Sequence, residues 1–273
     1  MLGPKWINTN SFKNFKAREL QEGRFRVMIN KGDFEGFLCK KPESKNLFVV
    51  LSGGWDPEKQ KWPFFQHLKW QDQLDGHVLY IADPTLFFAK QLRIGWYVGT
   101  KQFDWLDDLS KVVTYISESL DVTPNNVYPI GEASGGFAAL MLAAKLGNAT
   151  AIAINPQTDV LNYHKKFVAQ FLDECFDGVI ASRVPSPVKA RLSAASAYQQ
   201  SLFAKAVILQ NKQNAHHYTK HYIPFCKALN IPEDGGLDST GRVQVILYDQ
   251  EKGTFDATSL LPILQQRVWS LSR

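Results

Sequence analysis

The chain has 273 residues, 45% of them hydrophobic and 21% charged, with 31 Lys and Arg against 26 Asp and Glu for a formal net charge of +5. Content this apolar excludes an intrinsically disordered chain, and no glycine period marks a fibre. No stretch approaches the roughly 18 uninterrupted apolar residues of a membrane span, and Met1–Trp6 leads into no apolar run with a small-residue cleavage site, so no secretory signal is expected.

In chain order, Phe25–Asn30 and Phe34–Cys39 read as two strands about a Lys31-Gly32-Asp33 turn, a hairpin with glycine at its tip. Leu47–Ser52 is a continuous apolar run, the mark of a strand buried on both faces. Similar runs follow at His77–Ala82, Asn126–Gly131, Ala151–Asn155, Ala204–Gln210 and Val243–Tyr248. Helical patterns occupy Asp104–Leu120, Gly135–Leu146, Asp159–Phe176, His216–Leu229 and Ser259–Leu271. In the first of these, Leu106, Leu109, Val112, Val113 and Ile116 recur mostly at three- and four-residue spacing. Strands alternating with helices predict a mostly parallel sheet covered on both faces. No repeat or linker divides the chain, so residues 1–273 are expected to form one domain. The stretch 177–200, with Pro185 and Pro187 and no clear strand, is expected to form a small lid.

The most informative segment is Val127–Leu140, in which a buried strand ends at Gly131, turns through Glu132-Ala133-Ser134-Gly135-Gly136 and passes directly into an apolar helix. This is the build of a G-x-S-x-G nucleophile elbow, whose glycines leave room for close helix–strand approach and whose central residue is strained so that its side chain stands above the sheet. Here the frame is Gly131-x-Ala133-x-Gly135, and the nucleophile's position holds alanine. Ser134 lies one residue late and would serve only if the elbow were shifted.

At this point the chain resembles the α/β-hydrolase superfamily, and within it the hydrolase-like proteins of bacterial surface-polysaccharide loci, some of which are capsule O-acetyltransferases. Those carry an elbow similar to Gly131–Gly136, followed by a segment like Asn155-Pro156-Gln157-Thr158. Asp83-Pro84-Thr85 and Gly95-Trp96-Tyr97 look like further landmarks. The likeness runs from about residue 45 to the C-terminus. It implies an α/β-hydrolase fold, with an acid after the strand at Ala204–Gln210 and a histidine after the last strand. In Gln210-Asn211-Lys212-Gln213-Asn214-Ala215-His216-His217 the acid's position falls on Asn214, and after Tyr248 the histidine's position falls on Thr254.

The Ser…Asp…His order thus maps onto Ala133…Asn214…Thr254. Alanine offers no nucleophile, asparagine no negative charge to steady an imidazolium, and threonine no group that titrates near neutrality. Loss of a nucleophile or base alone costs on the order of 10⁶ in turnover in well-studied triads. The expected function is a catalytically degenerate member that keeps a cleft for a glycan, an acylated precursor or a partner protein. The competing reading is an active esterase or O-acetyltransferase. It needs either a replaced nucleophile at 133 or an unusual triad from Ser134, His216 or His217, and Asp249 or Asp256. A third is a pure interaction module.

Other polar and aromatic residues carry weaker expectations. Ser52-Gly53-Gly54-Trp55 follows a buried strand where this fold donates one oxyanion-hole amide, although a tight glycine turn would read the same way. Trp55, Trp62, Trp96 and Tyr97 are expected in loops above the sheet, where aromatic faces suit sugar stacking and long loops equally need packing. His217 and His221 share a helical face at metal-chelating spacing, but no third ligand is evident and no metal or cofactor is expected. His216 could stand near the acid position as a base. Glu132 flanks the nucleophile position, and Asp256 reads as a helix cap. Basic residues are spread along the chain, with only the doublets Lys40-Lys41 and Lys165-Lys166, so no nucleic-acid partner is expected. Cys39, Cys175 and Cys226 are odd in number and widely spaced, which fits a reducing, cytoplasmic location.

Overall fold

The computed structural model describes residues 5–7, 20–89 and 91–250. Among them, ten strands form one sheet: β1 (Lys5–Ile7), β2 (Gly23–Ile29), β3 (Gly32–Cys39), β4 (Leu47–Leu51), β5 (His77–Ile81), β6 (Val127–Glu132), β7 (Thr150–Ile154), β8 (Lys205–Asn211), β9 (Gly236–Leu237) and β10 (Val243–Tyr248). Their spatial order is β1-β2-β3-β5-β4-β6-β7-β8-β10-β9. The strands β5, β4, β6, β7, β8 and β10 run parallel, while β3 lies antiparallel between β2 and β5. Each of the eight predicted strands is present with its ends moved by two residues at most. The short β1 and β9 carry no periodic signal to read.

The central strands are fully buried because each face meets its own apolar layer. Leu47, Val49 and Leu51 of β4 join one core with Leu79, Ile81, Ala151, Ala153, Ala206 and Ile208, while Phe48 and Val50 join a second with Val78, Tyr80, Tyr128, Ile130, Ile152 and Val207. Small residues concentrate on the first face, and helix α3 (Ser134–Leu146) packs there against β6 and β7. Helix α2 (Trp105–Ser119), which follows the short α1 (Pro84–Phe88), packs beside α3, started by the Asp104 carboxylate, which accepts from the Asp107 amide.

Three local expectations need correction. The hairpin turns at Asn30-Lys31, both left-handed at φ 47° and 64°, so it is a two-residue turn and Gly32 already pairs with Ile29. Gly32 is glycine for another reason, since a Cβ there would stand 2.7 Å from the Trp105 indole nitrogen. The helix expected over 159–176 is broken into a 3₁₀ turn (Val160–Asn162) and α4 (Lys165–Cys175). That expected over 216–229 comprises a short turn of helix (Ala215–His217), a π segment (Tyr218–Tyr222) and a further helix (Ile223–Leu229). Pro224, lacking an amide proton, lies two residues beyond the π segment. The stretch expected as a lid contains helices at Ser186–Arg191 and Ala194–Gln200. The second is a crossover, running from the Thr158 carbonyl, which takes the Ala194 amide, to the Lys205 carbonyl, which takes the Tyr198 hydroxyl. Arg191 ties the preceding residues to the carbonyls of Val98, Thr100 and Phe103. The helix predicted at 259–271 lies outside the described residues.

Candidate active-site cleft

The elbow has the geometry its glycines predict. Ala133 sits between β6 and α3 at φ 51°, ψ −112°, a conformation that L-residues rarely take. It is held by its own amide donating to Ile154 O (3.0 Å) and by its carbonyl, which accepts from Phe137 N and Gln157 N (both 3.1 Å). A Cβ on Gly135 would lie 2.3 Å from Leu51 O, and one on Gly131 would lie 2.4 Å from the Gly135 backbone. The residue in the strained seat is therefore Ala133. Ser134 begins α3 and is 2% exposed.

The loop Ser52-Gly53-Gly54-Trp55 approaches this corner closely: a Cβ on Gly53 would meet Ser134 Oγ at 3.6 Å. Its Gly53 amide donates to Gln66 Oε1 at 2.6 Å, so a side-chain carbonyl already occupies the donor that an oxyanion would need. Gln66 was not legible in the sequence as a site residue, because it stands 13 positions after Gly53 with no motif around it.

Trp96 and Tyr97 do not offer faces to a ligand. Both are fully buried, and both are left-handed at φ 55° and 60°. The Tyr97 hydroxyl donates to Ile81 O (2.7 Å) and accepts from Ser52 N (2.8 Å), bracing the glycine loop from below. Trp96 Nε1 donates to Gln157 Oε1, and its ring meets Phe171 edge-on. The two sequence landmarks form one structure. Asp83 Oδ1 accepts from Thr85 N and Oδ2 from Tyr97 N, each at 2.9 Å, and a Cβ on Gly95 would lie 2.7 Å from Asp83 Oδ2. Burial pushes the Asp83 carboxyl up to about 6. Tyr97→Phe is expected to cost about 1–3 kcal/mol in urea unfolding, because Ser52 N and Ile81 O lose a buried partner. A change below about 0.5 kcal/mol would remove the bracing role.

Trp55 and Trp62 remain half-buried, edge-to-face at 5.7 Å, with Phe87 5.9 Å from Trp62. The Trp55 indole N–H has no partner among the described residues.

Asn214 is used as a helix cap, its Oδ1 accepting from His217 N at 3.3 Å. Thr254 and Asp256 lie outside the described residues. His217 Nδ1 bonds Asn155 O at 2.6 Å, and His221 Nδ1 accepts from Thr158 N at 3.3 Å. Asn155-Pro156-Gln157-Thr158 thus joins the elbow to the histidine-bearing segment. The same Asn155 donates through Nδ2 to the Tyr248 hydroxyl at 2.7 Å. His216 stacks on His164, a neighbour that sequence reasoning missed because the two stand far apart in the chain. Among the described residues no three ligating side chains converge to hold a metal. Glu132, beside the apex, lies 3.8 Å from His67 Nε2. Burial pushes the carboxyl up and the imidazole down, so it opposes charge on both partners and the contact is a weak ion pair at most.

No family model matches the sequence, and no curated protein is significantly similar to it. Solved structures share its fold. The glycosylation associate protein (Gap123) complex of Streptococcus agalactiae matches with TM-score 0.66 at 12% identity, over 92% of this chain and 47% of that one. This chain therefore spans about half the length of that neighbour. The capsule O-acetyltransferase of Neisseria meningitidis serogroup A matches with TM-score 0.63 at 14% identity, over 89% and 93% of the two chains. An S-formylglutathione hydrolase of Agrobacterium tumefaciens gives 0.58 at 13%, over 89% and 90%. Strand order, the antiparallel β3, the strained turn after β6 and these likenesses agree: the chain has the α/β-hydrolase fold.

Proposed function

We propose that this chain is a non-hydrolytic α/β-hydrolase-fold protein that binds a glycan or an acylated glycan precursor in surface-polysaccharide metabolism. The observation that carries the first half is the methyl group of Ala133 in the strained seat at φ 51°. The Gly53 amide spent on Gln66 and the Asn214 side chain spent on a helix cap support it independently. The glycan half is supported by the half-buried Trp55–Trp62 pair, and by two structural neighbours whose own names concern capsule acetylation and glycosylation. Aromatic faces with a polar edge suit sugar rings. A protein partner is the second class of occupant, since one of those neighbours is itself a complex.

The three cysteines are unpaired, and burial pushes the Cys39 and Cys226 thiols up to about 11 and Cys175 to about 12. Inert thiols of this kind support a reducing, cytoplasmic setting. Among the described residues no helix is long and apolar enough to cross a membrane.

The decisive experiment treats wild-type and Ala133→Ser proteins with a serine-directed fluorophosphonate and with p-nitrophenyl acetate. Neither protein is expected to label or to turn over above buffer, because a serine without an acid and a base stays a weak nucleophile. Robust labelling of residue 133 with turnover would show an intact acid–base pair and end the non-hydrolytic reading. On a glycan array, Trp55→Ala is expected to lower binding about tenfold. Identical profiles for Trp55→Ala and wild type would remove the aromatic arm.

A further inference from the structure

Four of the six histidines gather with Tyr163 beyond the C-terminal ends of β7 and β8. His164 and His216 stack at 4.0 Å with rings 16° apart, and His221 lies 5.6 Å from His216 and 5.5 Å from His217. They come from two segments, the approach to α4 and the helical stretch around the π segment at Tyr218–Tyr222. In open α/β sheets this edge is where ligands bind, and π segments often mark functional sites.

Hydrogen-bond accounting at the cluster does not close. His221 is fully buried, and because its Nδ1 accepts from Thr158 N the neutral ring carries its proton on Nε2. That Nε2–H has no acceptor among the described residues, and the buried Nε2 of His216 has no partner either. Orphaned buried polar atoms are costly and call for an occupant. No acidic counter-group is at hand either. Among the described residues none of the four imidazoles pairs with a carboxylate. The charged or titratable groups facing them are Lys220, Tyr163 and one another.

We propose that this cluster is a binding site for a phosphate-type oxyanion carried by the ligand, with His164, His216, His221 and Lys220 supplying donors and positive charge. The inference rests on the binding reading above and names the ligand's chemistry. Burial, first, and then mutual proximity push His216, His217 and His221 down, His221 to about 3, so these three imidazoles favour the neutral form. An anion nearby favours the charged form and reverses that pressure. By linkage, proton uptake on binding means that binding tightens as pH falls.

The test titrates sulfate and inorganic phosphate into the whole chain at pH 7.5 and 5.5, following the histidine ring signals by NMR and heats by calorimetry. Sulfate keeps its charge across this range, so its trend reports protons taken up by the protein. Its dissociation constant is expected to fall about tenfold or more at pH 5.5, one coupled proton giving up to about tenfold per pH unit. His164→Gln and His216→Gln, at exposed and half-exposed positions, are expected to weaken binding about tenfold at pH 5.5 while leaving the thermal midpoint near that of wild type. Failure of both anions to saturate at pH 5.5, or unchanged binding in both variants, overturns the site. Glucuronate binding as tightly as phosphate overturns the assignment to a tetrahedral oxyanion. Covalent labelling probes the non-hydrolytic reading separately, so an Ala133→Ser protein that labels and still binds sulfate would sink that reading and spare this one.

Discussion

Gly135→Ala is expected to destabilise the protein by at least about 3 kcal/mol in urea unfolding, or to prevent folding outright. The added methyl would stand 2.3 Å from Leu51 O and 3.1 Å from the carbonyl carbons of Leu51 and Ser52. These are backbone atoms of β4 and its exit, hydrogen-bonded into the sheet on both sides, so no side chain can swing away to make room. Relief requires moving α3 off β6, and that opens the layer formed by Phe137, Ala138 and Leu142 against Ala151 and Ala153. Gly147→Ala is the matched control. Its φ is 83° and ψ −55°, but nothing lies within 4 Å of the new Cβ, so only the backbone penalty of that conformation applies, on the order of 1–3 kcal/mol and with no steric clash added. Equal, small losses at the two sites would mean that helix and strand are not in close contact at the elbow.

Acidification is expected to weaken the fold through His221. In the unfolded chain this imidazole titrates near 6.5, while in the folded protein burial and then His217, His216 and His164 push it to about 3. Between those values the unfolded state holds more protons, so this contribution is complete above pH 6.5 and is lost as pH falls, at about 1.4 kcal/mol per unit. For a chain of this size that corresponds to about 3–5 °C in thermal midpoint per unit. Asp83 acts in the opposite sense, because its folded carboxyl, raised to about 6, takes up a proton before the unfolded one does. Comparing wild type with His221→Gln isolates the imidazole, since glutamine can still accept from Thr158 N but does not titrate. The variant is expected to be less stable at pH 7.5, with the gap closing by about 3–5 °C per unit below pH 6.5. Parallel profiles from pH 7.5 to 4.5 would show that His221 is not held neutral.

Much of the fold could be read from residue order because the central strands are apolar at every position, a pattern produced only by burial on two faces. The elbow was equally legible, since Gly131, Gly135 and the run after it are dictated by backbone contact and not by chemistry. Properties that depend on distant partners were not. Trp96 and Tyr97 have the composition of a sugar platform, yet buried hydrogen bonds to Gln157, Ile81 and Ser52 turn them inward. Gly32 resembled a turn residue and instead clears space for Trp105. The meeting of His164 with His216 has no local signature at all. Asn214 caps a helix, and in sequence a capping role and a vacated acid position read alike until its amide partner is seen.

The bend at Ala133 is secured entirely by main-chain atoms: its amide on Ile154, its carbonyl under Phe137 and Gln157, its flanks pinned by two glycines. None of these attachments involves the side chain at the summit. Such a corner is indifferent to whether it carries an oxygen there. A hydroxyl added to or taken from that methyl leaves every one of these attachments in place, so the shape of the corner persists whatever residue crowns it.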